Sequence, residues 1–181
     1  MGTIAVIGLG SSWRLFEKDK YDLSIGVNDI WRYVQTDVIV CVDIPGKFPP
    51  DRLKIINNSK PKVFYSHTVK WDHREDFKKI ELIKYYPDNY LDLDLGYWKS
   101  YCSPFIAVQV AFREYKASEI HLFGVDLVNH PYLDRELCRK IQRHFINLKT
   151  ALDKKECKLI VKGDGILKKT NIQILKIVKM L

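Results

Sequence analysis

Five polar clusters follow apolar runs in this sequence, and their side chains are the ones equipped for chemistry. They are Gly8-Leu-Gly10-Ser11-Ser12, Asn28-Asp29, Cys41-Val-Asp43, Ser66-His67 and Gly124-Val-Asp126, with Asn129-His130 beyond the last. Glycine beside hydroxyls suits a phosphate, because backbone N–H groups can approach an anion with no Cβ in the way. Asn28 and Asp29 stand about twenty residues past the first turn, where an amide or carboxylate can bind a ribose hydroxyl. Asp43 and Asp126 complete a set of polar groups for a nucleotide. Ser103 precedes Pro104 at a helix start, and the unpaired N–H groups and positive dipole end there favour a phosphate. Imidazole titrates near neutrality, which makes His130 the first candidate for a base acting on an acceptor hydroxyl and His67 the second. Each carboxylate also has a structural reading: Asp29 as a helix cap, Asp43 as the start of the turn before Pro45, Asp126 as a loop stabiliser. His121, within a strand, and His144, beside an apolar helical stripe, read as structural.

What the motifs lack narrows the chemistry. A dinucleotide fingerprint needs a third glycine where Trp13 stands, and the G-x-x-x-x-G-K-[ST] phosphate loop occurs nowhere. Asp92-Leu-Asp94 has the spacing by which paired carboxylates hold a divalent metal, yet the alternation Leu91-Asp-Leu-Asp-Leu95 also fits an edge strand. Cys41, Cys102, Cys138 and Cys157 have no C-x-x-C spacing, so zinc and redox pairs are not expected and the thiols should be reduced and mostly buried.

The elements that must position these groups are legible from periodicity. Short apolar runs at Ile4-Ile7, Leu23-Val27, Val38-Val42, Lys62-Tyr65, Ile120-Phe123 and Leu159-Val161 read as strands buried on both faces. A helix opening at Ser103-Pro104 carries Phe105, Val108, Ala111, Phe112 and Tyr115 as its stripe. A second runs from about Asp134 to Lys154 with Leu137, Ile141, Phe145, Leu148 and Leu152 on one face, and a third carries Ile172, Leu175, Val178 and Leu181. The expected fold is α/β: a single Rossmann-like domain over residues 1–181, mostly parallel, with helices on both faces. Residues 66–101 are rich in aromatics without sustained period, which suits a lid, an acceptor-side insertion or an irregular covering layer.

A length of 181 residues with 46% hydrophobic content can bury a proper core. No run approaches the ~20 apolar residues of a membrane span, and no basic-then-apolar leader is present, so the expectation is a cytoplasmic protein without a transmembrane segment. Charge is unevenly placed: residues 1–134 hold 17 Lys and Arg against 18 Asp and Glu, whereas 135–181 hold 13 against 4. That basic end could attract nucleic acid or an anionic surface, or be the solvated side of Lys-rich helices.

In order, Ile7-Gly-Leu-Gly-Ser-Ser12, Ile25-Gly-Val-Asn28, Cys102-Ser103 and Ser118-Glu-Ile-His-Leu-Phe-Gly124-Val-Asp126 resemble bacterial sialyltransferases of the Campylobacter type. The same frame is similar to archaeal 6-hydroxymethylpterin pyrophosphokinase-like proteins. The first resemblance implies a glycosyltransferase that uses a nucleotide-sugar donor and needs no metal cofactor. Gly8, Gly10, Ser12, Asn28 and Ser103 would then bind the cytidine nucleotide, and His130 would act on an unknown acceptor. The second implies diphosphate transfer from ATP with Mg2+ held by carboxylates such as Asp43 and Asp126. A third reading, from the charge, is a non-catalytic nucleotide- or nucleic-acid-binding module.

Overall fold

The computed structural model describes residues 2–84, 91–127, 134–165 and 167–168. Among them, in chain order, lie β1 (Thr3–Ile7), β2 (Leu23–Val27), β3 (Val38–Val40), α1 (Pro50–Asn58), β4 (Val63–Ser66), β5 (Phe77–Lys79), β6 (Leu82–Ile83), β7 (Tyr97–Trp98), α2 (Ser103–Tyr115), β8 (Glu119–Phe123), α3 (Arg135–Asp153) and β9 (Lys158–Val161). Seven strands form one wholly parallel sheet in the order β5-β4-β3-β2-β1-β8-β9, while β6 and β7 pair as a separate ribbon. This is the α/β, Rossmann-like architecture that the run of buried strands predicts. The chain steps outward from β1 to β5 and returns to the other side of β1 with β8, so the order reverses between β1 and β8. Open parallel sheets hold ligands beyond the carboxyl ends of their strands near such a reversal.

Strand alternation assigns the two faces. Ile4, Val6, Ile25, Val27, Val38, Val40 and Tyr65 pack with α2 and α3. Ala5, Ile7 and Phe123 pack with Ile30, and Ile39, Cys41 and Phe64 with Trp71 and with Ile56 of α1. Helices therefore cover both faces, but unevenly. The β1–β2 and β2–β3 connections contain only short 3-10 turns, at Ser11–Leu15, Lys18–Lys20 and Ile30–Arg32.

The central helix, α2, starts because Cys102 is extended and Pro104 presets the first turn, and it stops where Lys116 turns left-handed at φ 53°. Residues Phe105 to Ala111 are all buried, including Gln109. The buried amide is satisfied: it accepts from Trp98 N at 2.7 Å and donates to the carbonyls of Trp98 at 3.0 Å and Phe105 at 3.2 Å, fastening β7 to α2. At the other end of α2, Glu114 accepts from Tyr97, Lys78 and Tyr65 and so joins three strands to the helix. Helix α3 begins where Asp134 accepts from Leu137 N at 2.7 Å.

Several elements differ from the sequence reading. Strand β5 (Phe-Lys-Lys) has no apolar run, because an edge strand of three residues turns its lysines to solvent. The described residues of 66–84 and 91–101 thus extend the sheet and bury Trp71 in addition to forming the ribbon. Leu91–Leu95 is not an edge strand: Asp92 Oδ1 accepts from Asp94 N at 2.9 Å within a turn, and Asp94 pairs with Lys155. Helix α1 has no apolar stripe to mark it in the sequence, since Ile56 is its one fully buried residue. The helix expected at 172–181 and the candidate base His130 lie outside the described residues. No helix among the described residues is long and apolar enough to cross a membrane.

Candidate functional site

The carboxyl ends of β1, β8 and β9 meet in a tight junction. Gly8 N donates to Phe123 O and Gly10 N to Gly124 O, both at 2.8 Å, continuing the β1–β8 pairing past the strand ends. A Cβ on Gly8 would strike the Gly124 carbonyl, and one on Gly10 would lie 2.7 Å from Asp126 Oδ2. Gly124 itself has φ +62°, and its missing Cβ would strike Gly8 O. These glycines let one backbone approach another.

The two serines are engaged in the same junction. Ser12 Oγ donates to Asp126 Oδ1 and accepts from Gly124 N at 2.8 Å. Ser12 N and Ser11 Oγ reach Asp126 Oδ2 at 3.1 and 3.2 Å. The loop after β9 closes the third side, with a Cβ on Gly165 meeting the Asp126 backbone. Gly8, Gly10, Ser11, Ser12 and Asp126 are therefore brought together, by one another.

The ends of β2, β3 and β4 are arranged differently. Asn28 leaves β2 with φ 51°, its N–H on Val40 O at 3.2 Å, and its Oδ1 accepts from Ser103 Oγ at 3.2 Å. Ser103 is the first residue of α2, one position inside the cap the sequence suggested, and it is buried. This bond spans 75 residues of chain and seats the positive end of α2 over the end of β2. Asp29 is 3% exposed and held by Arg52 of α1, with Nη2 at 2.5 Å and Nε at 2.9 Å, so its carboxylate serves an ion pair between the β2 end and α1. Asp43 is half-exposed, 3.5 Å from Lys47 Nζ, and its carbonyl accepts from Trp71 Nε1 at 2.9 Å.

His67 follows β4. Its Nδ1 is buried and has no hydrogen-bond partner among the described residues. Burial first, and the nearby Lys99 charge second, push its pKa below the ordinary value. Among the other described histidines, His121 joins Tyr21 OH at 2.8 Å to Glu119 at 2.6 Å, His144 Nδ1 meets Ser100 Oγ at 2.8 Å, and the His73 ring lies against Trp71 with centroids 6.2 Å apart. Three thiols are buried and Cys102 half-buried, and burial raises Cys102 to about 12 and Cys157 to about 11.

Asp43 and Asp126, the carboxylates that diphosphate transfer would use for Mg2+, follow different strands. Their strands, β3 and β8, are separated by β2 and β1, three spacings or about 14 Å at the usual sheet repeat. Asp126 already accepts three hydrogen bonds from the Ser11-Ser12 turn. Among the described residues no group of three or more His, Cys, Asp or Glu is placed to hold a metal ion.

Models of protein families gave no match to this chain, and neither curated proteins nor solved structures gave one.

The sequence reading missed the Ser11-Ser12-Asp126 clamp, the Asp29–Arg52 pair and the Glu114 cluster. Each joins distant chain segments. The one local signal was the repeat of glycine-then-polar at two strand ends, which becomes a contact only when β1 and β8 are neighbours.

Proposed function

We propose that this protein is a nucleotide-dependent transferase that moves a glycosyl group from a nucleotide-sugar to an acceptor hydroxyl, as the resemblance to sialyltransferases implies. The observation that carries the reading is the Ser103–Asn28 contact, which sets the N–H groups and positive end of a 13-residue helix beside the carboxyl ends of a parallel sheet near its reversal point. Ser103 and the first turn of α2 take the phosphate, Asn28 takes the ribose or base, and the glycine turn holds the two halves of the sheet in register. Stabilisation of the departing phosphate by these fixed donors supplies a large part of the rate. His130 is outside the described residues, and no step rests on it.

The test is a thermal-shift screen against nucleoside monophosphates and sugar nucleotides, with and without magnesium. A rise in Tm with a cytidine nucleotide, independent of magnesium, is expected. A response that requires ATP and magnesium would favour diphosphate transfer instead. If no nucleotide shifts Tm and the protein binds nucleic acid at low salt, the basic carboxyl-terminal region is the working surface.

A further inference from the structure

Helix α3 turns Cys138, Ile141, His144, Phe145, Leu148 and Leu152 into the core, so its opposite side meets solvent. Arg135, Arg139 and Arg143 stand exposed on that side at i, i+4 and i+8. Neighbours on such a ridge lie about 5–6 Å apart at Cβ, and the three together span about 12 Å of helix axis.

No carboxylate answers these charges. None of the three arginines has an ion-pair partner among the described residues, because the acids at the start of the helix are engaged elsewhere: Asp134 caps at Leu137 N, and Glu136 pairs with Lys140 at 2.8 Å. Like charges at i and i+4 repel, and Arg135 occupies the first turn, where the positive end of the helix disfavours a cation. The ridge therefore costs the free helix, and an anion bound along it turns both penalties into attractions.

A second observation comes from another segment. Tyr101, just ahead of α2, is 64% exposed, and its ring stacks on that of His144 with centroids 5.9 Å apart and planes 20° from parallel. His144 is buried and fixed by Ser100 Oγ at 2.8 Å, so it backs the tyrosine from below. Arg143 is its neighbour in the chain, and Lys140 is close enough to Tyr101 for their charges to interact. An aromatic ring held flat at the surface thus stands beside the basic ridge.

Arginines that follow a backbone and a ring that stacks a base are the two parts of a site for single strands. In a duplex the faces of the bases are already stacked on one another, which leaves the ring without a partner. A lipid surface would take up large apolar side chains, and the exposed ones among the described residues include none on α3. We propose that the outer face of α3 binds single-stranded nucleic acid, with Arg135, Arg139 and Arg143 taking phosphates along the strand and Tyr101 stacking a base. This surface uses none of the residues assigned to the nucleotide-sugar and stands or falls separately from the transferase reading.

The experiment is fluorescence anisotropy of the full chain with a labelled oligothymidylate of about 12 nucleotides over a series of salt concentrations. The wild type is expected to bind the single strand more tightly than a duplex of the same length, inorganic polyphosphate or phosphatidylserine vesicles. Three phosphate contacts give log affinity a slope of about −2 against log salt, and Arg139→Ala or Arg143→Ala makes that slope shallower by about 0.7. Tyr101→Ala weakens binding at least fivefold, whereas Tyr101→Phe, which keeps the ring, binds as the wild type does. Lys54→Ala, which removes an exposed charge from α1 on the opposite face of the sheet, leaves affinity unchanged within about twofold. Absence of binding at low salt, equal affinity for the duplex, polyphosphate or vesicles, or a loss in Lys54→Ala as large as in Arg139→Ala overturns the proposal. The ligand comparison uses the native chain, so it decides the matter even where a variant fails to fold.

Discussion

Two halves of the same sheet edge use similar residues to opposite ends. At β1, β8 and β9 the glycines, the paired serines and Asp126 satisfy one another, and polar atoms are spent within the chain. At β2, β3 and β4 the bond between Asn28 and Ser103 is a single neutral one, and His67 Nδ1 has no partner among the described residues. The first half is a mechanical joint at the point where strand order reverses. The second half has unspent polar capacity. A glycine-rich turn after a first strand is thus not a phosphate site by composition: what decides is whether a neighbouring strand end already fills the space the glycines leave.

The largest effect should come from breaking the joint. Gly124→Ala forces a side chain into a left-handed conformation and against the Gly8 carbonyl, and should cost about 3 kcal/mol or more in chemical denaturation. Asp126→Ala strands the buried Ser12 hydroxyl and removes a charged acceptor from three donors, a loss of about 2–3 kcal/mol by the same measurement. Neither change should selectively weaken nucleotide binding in protein that remains folded. In the other half the balance reverses: Ser103→Ala should cost about 1 kcal/mol of stability yet weaken nucleotide binding at least tenfold by calorimetry. A Ser103→Ala protein that binds normally would dissolve the contrast between the halves.

The smallest effect is on pH dependence. Burial holds both His67 and His144 below the ordinary histidine value, so the unfolded chain binds more protons between those lowered values and about 6.5. Their contribution to stability is complete above about pH 6.5 and declines as pH falls through the folded-state values. The Tm should therefore drop between pH 7.5 and 5.5, and His144→Asn, which keeps an acceptor for Ser100, should shallow that drop. An equal slope in the variant would remove His144 from the acid response.

How far the sequence could be read follows from how local each feature is. Strands β1, β2, β3, β4, β8 and β9 were legible because burial on both faces demands continuous apolar runs, and α2 and α3 because a proline or aspartate start precedes a clear stripe. Strand β5 and the β6–β7 ribbon were not, since two or three residues have no measurable period and pairing partners are set by topology. Asn28 and Ser103 stand out in sequence by their places at a strand end and a helix start, and the structure brings them into contact. Ser11, Ser12 and Asp126 were equally well placed in sequence, but that β1 and β8 are neighbours, which turns these groups on one another, is a property of strand order that no local window contains.

Calorimetric titration of cytidine monophosphate into wild-type, Asn28→Ala and Ser11→Ala proteins tests the central claim most directly. Ser11 is exposed and touches Asp126, whereas Asn28 stands where the α2 helix begins. The account predicts that Asn28→Ala loses at least tenfold in affinity while Ser11→Ala binds as the wild type does. Loss of binding in Ser11→Ala with Asn28→Ala unaffected would place the nucleotide on the glycine turn and contradict it.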